Sequence, residues 1–171
     1  LASAIPFILV FDKKKPQARE LVPIAVMAAI AVVGRTVFEI IPLPNFKPCS
    51  AIIIITAVAF GPEAGFLTGA LTAFVSNFIF GQGPWTPWQM LGMGLCGFLA
   101  GLVFHRGRAP RNRGTLCVFG VVSAFAVYGI LLNAYSALLA TGALTWQSLA
   151  VYCASGFAMD AVQAISTVIF L

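Results

Sequence analysis

Charge is the scarcest property of this 171-residue sequence. Only 9% of positions are Asp, Glu, Lys or Arg, five of them acidic, where an average soluble domain carries about 25%. So little charge cannot cover the surface of a water-soluble fold, which excludes that class. Histidine is almost absent: His105 stands alone, so no two-histidine metal site can form. The phosphate-cradling pattern G-x-x-x-x-G-K-[ST] is missing. Ser155 lacks the glycine two positions earlier that a nucleophile elbow requires. No nucleophile and base are assembled, so the expectation is a non-enzyme without a cofactor. Cys49, Cys96, Cys117 and Cys153 have no metal-ligand spacing and read as small buried hydrophobes. Nothing at the N-terminus looks like a cleavable leader. The sequence begins at Leu1 and stops at Leu171 inside an apolar run, as a piece of a longer chain would.

Apolar side chains dominate: 60% of residues are hydrophobic and the mean hydropathy is +0.99. The expected class is an all-α integral membrane protein. Stretches 20–41, 63–80, 88–104, 114–141 and 146–171 are each near the ~20 residues that cross a bilayer. Stretch 49–60 is shorter. Two basic clusters decide how to count it: Lys13, Lys14, Lys15 and Arg19, then Arg106, Arg108, Arg111 and Arg113. Basic loops beside membrane helices mark the cytoplasmic side rather than nucleic-acid binding. Both clusters share a side only if an even number of crossings separates them, which makes 49–60 a span. Gly61-Pro62 breaks it from the next helix. The short span either borrows part of 45–48 or sits in a locally thin or protein-lined place. The expectation is six transmembrane helices over 20–171, preceded by a basic linker (1–19) whose apolar start leaves room for a partial extra helix. Segments 42–48, 81–87 and 142–145 then face outward.

Polar residues collect toward that outer end. Arg35 and Glu39 are four apart on the first helix and can pair along one face. Asn77 ends the third helix, and Asn133 and Tyr135 lie in the outer part of the fifth. The outer segments add Asn45, Lys47, Gln82, Trp85, Trp88, Gln89, Trp146 and Gln147. Hydrocarbon offers such groups no partners, so they face a bundle interior or a wet cavity. Tryptophan supplies flat contact; Asn and Gln supply directed hydrogen bonds. The expected ligand-facing set is Arg35, Asn45, Lys47, Asn77, Gln82, Trp85, Gln89 and Asn133. Asp160, deep in the last span, reads as a structural carboxylate or part of a proton path. Gly65, Gly69 and Ala73, with Gly97 and Gly101, predict close packing of the third and fourth helices; Ala25 and Ala29 form a similar pair on the first.

Four stretches carry a family resemblance: AVMAAIAVVGR (25–35), LPNFKPCSAIIII (43–55), GPEAGFLTGALTAFVSNF (61–78) and FGQGPWTPWQM (80–90). Together, residues 20–104 resemble the substrate-binding S components of energy-coupling factor (ECF) transporters. The resemblance implies capture of a vitamin or related micronutrient from outside, with a lean toward a cobalamin-type corrinoid. It implies a transmembrane coupling protein and two ABC-type ATPase subunits as partners, and Ala25 and Ala29 as the coupling face. It also implies a bacterial plasma membrane location, with both ends of the six-helix unit cytoplasmic. The rival expectation is a self-sufficient proton-coupled secondary transporter using Glu39 and Asp160.

Overall fold

The computed structural model describes residues 18–105 and 107–171, all in helices and connections. The expected extra helix and linker, Lys13, Lys14, Lys15, the side chain of Arg19, and Arg106 lie outside the described residues. Six helical rods follow one another: α1 (Ala18–Val37), α2 (Cys49–Phe60), α3 (Pro62–Phe80), α4 (Thr86–His105), α5 (Arg113–Thr141) and α6 (Trp146–Phe170). Five of them are long and apolar enough to cross a membrane, and the chain is a multi-pass membrane protein.

The stripe on α1 sets the first inward-facing groups. Ile24, Ala28, Ala31 and Arg35 are buried at alternating steps of four, three and four, the period of one helix face. Leu21, Val22, Val26, Ile30, Val33 and Val37 form the exposed apolar side. Helical period thus places the Arg35 guanidinium inside the bundle.

The short α2 differs from the expected span. Its 12 residues reach about 18 Å, less than the ~30 Å hydrocarbon core, and it borrows nothing from 45–48, which is not helical. One face of it packs into the bundle, with Cys49, Ala51, Ile53, Ile54, Thr56 and Ala57 buried, while Ile55, Ala59 and Phe60 stay exposed. The preceding connection is not a simple outer loop. Its second half enters the bundle, where Pro48 is buried and the Ser166 hydroxyl of α6 donates to the Lys47 carbonyl at 2.9 Å. Phe170, at the end of α6, meets Phe38 and Phe46 with ring centres 5.2 and 5.9 Å apart.

At Gly61 (φ 101°) the chain turns sharply into Pro62, the first residue of α3. Only glycine takes that backbone at low cost, and proline suits a helix start. The expected small-residue seam joins α3 to α4. A Cβ on Gly69 would lie 2.6 Å from the Met93 carbonyl carbon, and one on Gly65 would lie 2.7 Å from the Gly97 carbonyl oxygen. Backbone therefore packs on backbone there.

Helices α4 and α5 each contain a π-type segment, Gly101–His105 and Ala124–Gly129. The end of α4 is closed by arginine: Arg111 donates from Nε to the Phe104 carbonyl (3.0 Å) and from Nη2 to the His105 carbonyl (2.8 Å). Those carbonyls have no partner within the helix. Asn112 caps α5 through the Thr115 amide, and Thr145 with Ser148 forms a capping box on α6.

Candidate functional site

Arg35 organises the polar interior. It is 8% exposed, and Nη1 donates to Ser76 Oγ (2.5 Å) and Asn77 Oδ1 (3.3 Å) on α3. Asn77 then spends its own amide protons on Thr86 Oγ1 (3.1 Å) and Gln89 Oε1 (2.9 Å) of α4. The network ties α1, α3 and α4 together, and each buried polar group finds a partner as burial demands.

This network explains the aromatic turn before α4. The Thr86 hydroxyl accepts from the Gly83 amide (3.2 Å), and the Thr86 amide donates to the Gly83 carbonyl (3.0 Å). The Trp85 indole lies against Gly83, where a Cβ would come within 2.5 Å of the ring. Proline, glycine and tryptophan together fix the start of α4 so that Thr86 and Gln89 face Asn77.

The predicted Arg35–Glu39 pair is not formed. Past Val37 the helix tightens into a 3-10 turn, Phe38–Ile40, which changes the angular step and turns Glu39 away. Glu39 pairs with Lys47. Arg35 and Lys47 both lie over one aromatic ring, 5.0 and 4.8 Å from the centre of Phe80, whose face is a favourable setting for cations.

A small polar cavity of about 20 Å³ is lined by Arg35, Asn45, Lys47, Cys49, Met93, Tyr128 and Gln163. Asn45 reaches it through a left-handed backbone (φ 64°), which asparagine tolerates better than most residues. That is room for about one water, far below the roughly 300–1,000 Å³ of ordinary ligand pockets, so the site is closed in this conformation.

Of the eight expected ligand-facing residues, Arg35, Asn45 and Lys47 line this cavity, and Asn77 and Gln89 stand behind Arg35. Gln82 is exposed and donates to the Phe74 carbonyl (3.1 Å), and Trp85 packs on its own turn. Asn133 belongs to a separate pair: its Nδ2 donates to Asp160 Oδ2 (3.1 Å), beside Gly129 in the π-type segment of α5. Neither Asn133 nor Asp160 lines the cavity. Sequence reading missed Ser76, Thr86, Tyr128 and Gln163. Of these, Gln163 carried the best signal, as an amide inside an apolar span. Nearby, Trp88 and Tyr135 pair across α4 and α5 with centres 5.6 Å apart, and the buried Tyr135 hydroxyl has no partner among the described residues.

Ala25 and Ala29 are exposed. With Ala28, Val32, Val33, Leu71 and Val75 they line an apolar groove between α1 and α3.

Comparison with known proteins adds an independent line. The family profile described as ECF-type riboflavin transporter, S component, matches residues 15–171. UPF0397 proteins of Vibrio atlanticus (strain LGP32) and Aliivibrio fischeri (strain MJ11) are each 34% identical over 88 residues, 50% of this chain and 48% of theirs. The chain therefore spans about half the length of the curated relatives it matches. No solved structure matches.

Proposed function

Because the chain belongs to the ECF-type riboflavin transporter S component family, we propose that it is a substrate-capturing membrane subunit whose ligand is a riboflavin-type heterocycle. The family description names riboflavin, and this replaces the corrinoid lean of the sequence reading. The observation that carries the proposal is the cavity held by Arg35, Asn45, Lys47 and Gln163 within a membrane bundle. The adjoining Tyr128 leads along α5 to Tyr135 and Trp88, an aromatic seam suited to a flat ring. A flavin does not fit the cavity as it stands, so binding requires the second half of the 41–48 connection, which supplies Asn45 and Lys47, to move outward. Connections carry binding residues and move more readily than the helices they join.

The rest of the transporter follows from this reading. A transmembrane coupling protein and two ABC-type ATPases would supply the energy, and the chain itself would catalyse nothing. The exposed Ala25–Ala29 groove supports docking of the coupling protein, since small residues let helices approach closely. The chain would make six crossings of a bacterial plasma membrane, with the short, largely buried α2 counted as one and both ends of the six-helix unit cytoplasmic.

The test is titration of the detergent-purified chain with riboflavin, read by quenching of flavin fluorescence, with cobalamin in parallel. Riboflavin should bind. Gln163→Ala should weaken it by about 1–3 kcal/mol, the cost of leaving a polar partner unsatisfied, while Gln82→Ala should leave it unchanged. Binding of cobalamin alone, or a Gln163→Ala protein with unaltered affinity, would reject the site.

A further inference from the structure

The cavity lining contains two cations and no carboxylate. We propose that it selects ligands bearing an anionic group, a carboxylate or phosphate, and that Glu39 holds that group's place at Lys47 until the ligand arrives. The proposal rests on the substrate-capture reading above and adds a charge requirement to it.

Arg35 is the first ground. Its guanidinium is buried, and its hydrogen bonds go to the neutral acceptors Ser76 and Asn77. Among the described residues, Nη1 alone of its nitrogens is so engaged, although guanidinium offers five N–H donors. The Phe80 ring provides some compensation. A buried cation without a carboxylate partner is a costly arrangement, and it becomes favourable when an anion enters. Arginine presents two parallel donors that match carboxylate and phosphate oxygens.

Lys47 is the second ground. Its side chain is 14% exposed, while that of its partner Glu39 is 53% exposed. One end of this ion pair thus faces the cavity and the other faces out. Pairs with a solvated partner hold weakly, so the carboxylate can be displaced. Arg35 and Lys47 can be no more than about 10 Å apart, since each lies about 5 Å from the centre of the same ring; one ligand can therefore reach both. Asp160 is held by Asn133 on the α5 side and does not line the cavity. Tyr128 and Cys49 complete the titratable lining.

The purified full chain would be titrated with riboflavin and with riboflavin 5′-phosphate. The phosphate ester should bind at least tenfold tighter, with the advantage shrinking as salt is raised. Lys47→Met should lower the ratio several-fold, leaving the share that Arg35 supplies. Glu39→Gln should tighten the phosphate ester several-fold and leave riboflavin unchanged. Equal or tighter binding of riboflavin by the unsubstituted chain overturns the proposal. If neither flavin binds, the flavin reading fails separately. Melting temperature with inorganic phosphate, and with succinate, then decides the charge requirement and tells the two anions apart. A rise reduced by Lys47→Met sustains it; no rise, or one that the substitution leaves unchanged, overturns it.

Discussion

Gly97→Ala places a methyl group where α4 meets α3, and its effect can be worked from the geometry. The new Cβ would lie 2.5 Å from the Gly65 carbonyl carbon and 2.8 Å from Ile53 Cγ2. Unstrained carbon contacts are about 3.5–4.0 Å, so the helices must part by roughly 1 Å, which forfeits a quarter to a half of the attraction at each contact along the seam. Overpacking of this kind costs about 1–3 kcal/mol. Alanine's better helix propensity returns up to about 1 kcal/mol. The obstructing atoms are mostly backbone and cannot rotate aside, so the cost belongs at the upper end, leaving a net loss of about 2 kcal/mol. For a chain of this size that is about 4–8 °C in melting temperature. Fluorescence-detected size-exclusion after heating in detergent would measure it. Gly114→Ala is the control: its Cβ would meet only Asn112 Oδ1, at 3.9 Å, so no loss is expected. Gly65→Ala combined with Gly97→Ala should cost less than the sum, because the first substitution has already parted the helices. A Gly97→Ala protein as stable as its parent would refute the claim that backbone contact holds α3 to α4.

Two further outcomes are expected. Ala25→Leu with Ala29→Leu should leave riboflavin titration unchanged while abolishing co-purification with the coupling protein; retained co-purification would remove the α1–α3 groove as the docking face. With the four native cysteines replaced, single cysteines at Gln82 and Arg108 should react with an impermeant maleimide from opposite sides of the membrane, and labelling from one side would refute the six-crossing orientation.

Sequence alone determined the class and most of the helices. Five apolar stretches of span length can be satisfied only as helices in lipid, because every backbone polar group must bond within its own segment. It also determined that Arg35 faces inward, since hydrocarbon offers a guanidinium no partner, and that glycines join α3 to α4. Which polar groups meet was a different matter. Arg35 and Glu39 are four apart, yet a 3-10 turn separated them, and Glu39 found Lys47 instead. Gln82, Trp85 and Asn133 looked equivalent to Asn45 and Asn77 in the sequence, but they point to a carbonyl, a glycine and Asp160. The inward path of 45–48 and the arrival of Gln163 and Tyr128 at the same cavity were decided by tertiary structure. Local periodicity fixes which way a side chain leaves its own helix. Which partner waits there depends on how far each helix is shifted and tilted against its neighbours, and that is set by packing between residues as distant as Ser50 and Gln163.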